Sequence, residues 1–135
     1  MILRTRRATI TVLMTTDTVG GVWSYALELC RALAPHDVQI VLATKGARLT
    51  RDQELAVGRL ENVTVAASTY RLEWMADPWD DLAAADRWLR DLADGVQPDV
   101  VHLNDFAHGS LAWEVPVLIV GHSCVLSWHR AVRRC

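Results

Sequence analysis

Three clusters along this chain hold the residues that could do chemistry. The first is Asp17-Thr18-Val19-Gly20-Gly21-Val22-Trp23, which follows the apolar run 10–14 and opens a stretch with helical spacing. Adjacent glycines at a strand-to-helix junction allow backbone turns closed to other residues and let a ligand come close. The first N–H groups of the new helix favour negative charge there. Gly20 and Gly21 are thus candidates for holding a phosphate, or a sugar that bears one. The second cluster is Asn104-Asp105, just past the apolar run 99–103. Asp105 is suited either to hydrogen-bond sugar hydroxyls or to cap the next helix. The third is His122-Ser123, past the run 115–120, where His122 is a hydrogen-bond partner for a sugar or a structural histidine.

Several other chemistries lack their residues. The dinucleotide pattern G-x-G-x-x-G and the phosphate loop G-x-x-x-x-G-K-[ST] are both absent. His102 and His108 are six residues apart, which does not make the i, i+4 pair of a zinc helix, so no metal is expected. Gly121-His122-Ser123-Cys124-Val125 resembles a hydrolase elbow only superficially, because the strained turn needs glycine where Val125 stands. Cys124 reads as a small apolar residue. The six tryptophans read as core and interface packing, with Trp74 and Trp128 also able to stack on a sugar ring.

Something must hold these clusters in place. At 135 residues, 51% hydrophobic and 22% charged, the chain is a single globular domain by length and composition. A net charge of −2 argues against a nucleic-acid partner, and the arginines at the two ends read as a solvated fringe. Three scattered cysteines without a C-x-x-C pair point to a reducing compartment, the cytoplasm by default. The run 10–14 is too short for a signal sequence, and none reaches the roughly 18 apolar residues of a membrane span. Association with a membrane surface stays open.

Strand-like and helix-like segments alternate. Strands are expected at 8–14, 38–43, 63–67, 99–103 and 115–120. A helix at 21–34 presents Val22, Tyr25, Ala26, Leu29 and Leu33 on one face. Residues 46–60 are weakly helical and 70–80 form a structured loop. A further helix, with Asp77 as N-cap and Pro78 behind it, carries Leu82, Ala85, Leu89 and Leu92 until Gly95. A short helix or turn is expected near 107–113. Repeated βα units predict a Rossmann-like α/β fold, a parallel sheet with helices on both faces. All three clusters then fall at the carboxyl edge of that sheet, where such folds bind ligands.

Together the motifs resemble the N-terminal domain of family 4 glycosyltransferases, retaining two-domain enzymes of the GT-B fold related to glycogen and starch synthases. The resemblance rests on Thr16-Asp17-Thr18-Val19-Gly20-Gly21-Val22-Trp23-Ser24-Tyr25-Ala26-Leu27-Glu28-Leu29, on Pro98-Asp99-Val100-Val101-His102-Leu103-Asn104-Asp105, and on the stretch from Pro116 to Trp128. Leu72-Glu73-Trp74-Met75 with Asp77-Pro78-Trp79 looks like a subgroup signature. The resemblance implies that Gly20, Gly21 and His122 face a nucleotide-sugar donor, which is a substrate and not a cofactor. It places Asn104 and Asp105 on the acceptor side, where glycogen synthases carry a His-Asp pair; Asp17, Ser123 and Trp128 are further acceptor-side candidates.

Family members continue into a second domain that holds the nucleotide and carries two glutamates written E-x7-E, a spacing absent here. The expectation is a domain spanning 1–135 that lacks its last elements and is inactive alone, with His129 where the family has an aromatic. The rival expectation is a non-enzymatic binding module. It would pair with a separate second domain, or with itself, through an exposed sheet edge. A nucleotide-dependent oxidoreductase is the third.

Overall fold

The computed structural model describes residues 8–123 and 125–133. Its centre is a five-stranded parallel sheet of β1 (Ile10–Asp17), β2 (Val38–Lys45), β3 (Val63–Ala67), β4 (Val100–Leu103) and β5 (Val117–Ile119). The strand order is β3-β2-β1-β4-β5. The chain starts in the middle, winds outward through β2 and β3, then crosses back to the other side of β1. The connections leaving β1 and β4 therefore diverge, which opens a crevice between their carboxyl ends. Register decides what sits there. Asp17 pairs with Lys45 across β1 and β2, and Met14 pairs with His102 across β1 and β4. Counting three residues on from that last pair sets Asp105 level with Asp17. Lys45, Asp17 and Asp105 thus form a charged row along one edge.

Among the described residues four α-helices accompany the sheet: α1 (Gly21–Leu33), α2 (Arg51–Gly58), α3 (Trp79–Val96) and α4 (Val125–Val132). Side chains alternate across a strand. Val12 and Met14 pack with Trp23, Ala26, Leu27 and Cys30 of α1 and Val57 of α2. Leu13 between them packs the opposite way, with Leu89 of α3 and with Val101 and Leu103 of β4. Burial on both faces is why the middle of β1, Val12 to Met14, reads as consecutive apolar residues. Leu13 and Met14 are wholly buried, each stabilising the fold by about 1.5–3 kcal/mol.

The fold class agrees with the sequence reading, and the departures have local causes. β1 and β2 run on to Asp17 and Lys45 because ladder pairing continues through their polar ends. The buried face of α1 is Trp23, Ala26, Leu27 and Cys30, not the face drawn through Tyr25, which stays exposed. Asp77 has φ 47°, outside the extended backbone an N-cap needs; Pro78 takes that position, and no side chain caps α3. Residues 107–110 form a turn, one of the two forms expected there, while α4 occupies a stretch where no helix was expected. Trp74 and Trp79 are 63% and 72% exposed, so they are not core residues. β5 is an edge strand whose Val117, Leu118 and Ile119 all remain exposed.

Candidate functional site

The turn from β1 into α1 is held from outside. Thr18 N–H donates to Lys45 O at 3.0 Å, Thr18 Oγ1 donates to Ala47 O at 2.8 Å, and Gln53 Nε2 of α2 donates to Thr18 O at 2.8 Å. Gly20 lies at φ 79°, ψ −156°, a region nearly reserved for glycine, and serves as the N-cap of α1. Gly21 is different: its φ is not positive, and a Cβ there would meet open space. No side chain caps α1 and its first turn holds no acid. Its first amides are therefore left to water or a ligand.

Beside this turn, Lys45 is 1% exposed. Its Nζ donates to Asp105 Oδ2 at 2.7 Å and to His108 Nε2 at 2.7 Å. An ammonium has no lone pair to give, so Nε2 accepts and the His108 proton sits on Nδ1. Nδ1–H then donates to Asp86 Oδ1 on α3 at 2.5 Å. Both ring nitrogens of His108 are thereby engaged. No group of three His, Cys, Asp or Glu among the described residues could hold a metal ion. Asp105 Oδ1 is buried without a partner.

Asn104 joins two further histidines, His102 and His122. Its N–H donates to Thr15 Oγ1 and its Nδ2 to Thr15 O. Its Oδ1 lies 3.1 Å from His102 Nε2 and 2.9 Å from His122 Nε2. A carbonyl oxygen accepts, so both rings carry their proton on Nε2. Tyr25 stacks edge-on against His122, 4.7 Å between centroids. Burial pushes His102 below the usual histidine value; the hydrogen bond to Asn104 opposes this and His122 adds to it. Burial raises Asp17, Lys45 opposes, and the charges of Asp105 and Glu73 reinforce the rise, while a hydrogen bond from Trp74 offsets part of it.

A cavity of about 60 Å³ lies among Asp17, Glu73, Trp74, Asp105, Phe106 and His122. A broader depression of about 460 Å³ reaches from Asp17, Trp74 and His122 to Gly21. A separate cavity of about 260 Å³, lined by Pro98, Trp113 and Val115, lies at the opposite sheet edge, away from this cluster. The crevice therefore gathers Asp17, Gly21, Asn104, Asp105, His122 and Ser123, with Gly20 at its rim as the cap of α1. The side chain of Trp128 lies outside the described residues, as does Cys124. Burial raises the Cys30 thiol to about 11, which makes it inert packing. From the sequence, Lys45 and Asp86 are not singled out, His108 is weighed only as a metal ligand, and Glu73 is not placed in the crevice. The first three are far apart in sequence and no spacing links them; Glu73-Trp74 was visible as an unusual acid-aromatic pair inside a loop.

The model for Glycosyltransferase Family 4 matches residues 19–134, most of the chain and all three clusters except Asp17 and Thr18. The chain belongs to glycosyltransferase family 4. Among solved structures it resembles UGT2 of Phytolacca americana, complexed with UDP-2fluoro-glucose and pterostilbene, with a TM-score of 0.56 and 14% identity. That match covers 74% of this chain and 26% of UGT2, so the family 4 chain spans about a quarter of that protein's length. At that identity the likeness is one of fold, the Rossmann-like half of a GT-B glycosyltransferase. No curated protein sequence matches.

Proposed function

We propose that these residues form one wall of the cleft in which a retaining glycosyltransferase moves a sugar from a nucleotide-sugar donor to an acceptor hydroxyl. The supporting observation is the meeting of an uncapped, acid-free helix start with Asp17, Asp105 and His122 at the sheet's switch point. As the glycosidic bond breaks, the departing nucleoside diphosphate gains negative charge. Amides already aimed at that position bind it better in the transition state than in the ground state. Asp17 and Asp105, both acceptors of hydrogen bonds, orient the hydroxyl that attacks. The nucleotide itself needs a second wall, as the family resemblance implies, so these 135 residues alone are expected to show no turnover. The enzyme works in the cytoplasm on this reading; among the described residues, no helix is long and apolar enough to cross a membrane.

Gly21→Val tests this, because Gly21 has ordinary φ and open space around it. Made at the equivalent glycine of a two-domain family member, it should lower kcat by about a hundredfold, the scale of losing a preorganised oxyanion donor. The melting transition should barely move. An equal loss of stability would make the glycine structural.

A further inference from the structure

The small cavity at the switch point has more negative charge than a neutral sugar can satisfy. Asp17, Glu73 and Asp105 all line it, and among the described residues no lysine or arginine does. Lys45 lies behind them and pairs with Asp105 through Oδ2. The nearby Arg71 guanidinium is occupied by the carbonyls of Ala76 and Asp77. One buried cation thus faces three carboxylates, and His122 is the remaining titratable group on the wall. Independently of that count, Asp105 is 8% exposed and its Oδ1 has no hydrogen-bond partner. A buried carboxylate oxygen without a donor is costly, and a donor arriving with a ligand removes the cost. Two aromatic rings flank the acids: Trp74 is 63% exposed and Phe106 58% exposed. Exposed rings beside carboxylates suit a cation, which both attract.

We propose that this cavity binds a protonated primary amine carried by the acceptor, with Asp17, Glu73 and Asp105 as its counter-charges and Trp74 and Phe106 as its walls. The inference rests on the proposed acceptor-side role of this edge and narrows the acceptor to an amino sugar or similar amine-bearing polyol. Size agrees, since about 60 Å³ admits an ammonium head and little else, while the adjoining depression of about 460 Å³ has room for the ring that carries it. Glu73 is the residue that selects the charge. It is half-buried, its Oε1 accepts the Phe106 N–H at 3.4 Å, and it is not part of the Lys45 network.

Glucosamine and glucose differ by one ammonium for one hydroxyl, which makes them a matched pair of probes. Each is titrated into the full chain at mildly acidic pH and followed by calorimetry and by the indole resonance of Trp74. Glucosamine should bind at least about tenfold tighter than glucose, a modest preference for a desolvated charge contact. Glu73→Gln should cut that preference to about threefold or less without moving the melting transition. Equal binding of the two sugars would overturn the amine inference while leaving a sugar-binding edge intact. No binding of either would overturn both the inference and the acceptor-side role. An undiminished preference in Glu73→Gln would also overturn it, because the charge would then be read elsewhere.

Discussion

The first turns of α1 and α2 lie close together yet are built in opposite ways. Thr50 caps α2 with its hydroxyl on Gln53 N–H, and Gln53 Oε1 accepts the Thr50 N–H in return. Asp52 and Glu54 add negative charge to that first turn. A capping box and acidic side chains together satisfy this helix start. At α1 neither is present: a glycine caps it, no side chain reaches back, and no acid neutralises the dipole. The satisfied start then steadies the open one, through Gln53 Nε2 on Thr18 O. On the proposed function, α2 is finished by the protein and α1 is left for a ligand to finish.

The contrast can be broken most violently from beneath. Lys45→Met leaves the Asp105 carboxylate buried without its counter-charge, which should cost about 3–5 kcal/mol. Urea denaturation would measure it, and the double variant Lys45→Met/Asp105→Leu should recover much of the loss. Little loss in the single variant would mean that the pair does not hold the edge. Thr50→Ala removes the α2 cap and should cost about 1 kcal/mol, read as a fall of several degrees in Tm. Ser24→Glu, at an exposed position in the first turn of α1, is the smallest test and the sharpest. A carboxylate there should stabilise the helix by about 0.3–1 kcal/mol while weakening the binding of inorganic pyrophosphate. If both properties rise together, the open start is not an anion site.

Much of this was legible in the sequence because burial writes itself into apolar runs. β3 was placed to the residue, since Val63 to Ala67 is bounded on both sides by polar positions. Asp17, Asn104 and His122 could be expected at one sheet edge because each lies just past an apolar run, and the structure brings them to one crevice. The phase of α1 was not legible: Trp23 and Tyr25 are both aromatic, and only the turn at Gly20 decides which points inward. The Lys45–Asp105–His108–Asp86 chain was also hidden. Charge is normally a surface signal, and here the buried lysine is met by residues 60 and 63 positions distant. The exposure of Trp74 and Trp79 reversed the usual expectation for tryptophan, and Trp74 lines the small cavity at the switch point.

Amide chemical-shift mapping of inorganic pyrophosphate onto the chain tests the central claim most directly. The largest changes should fall on Gly20, Gly21, Val22 and Trp23, with the α2 start at Arg51 to Gln53 unmoved. Shifts centred on α2, or spread evenly over both helix starts, would contradict it.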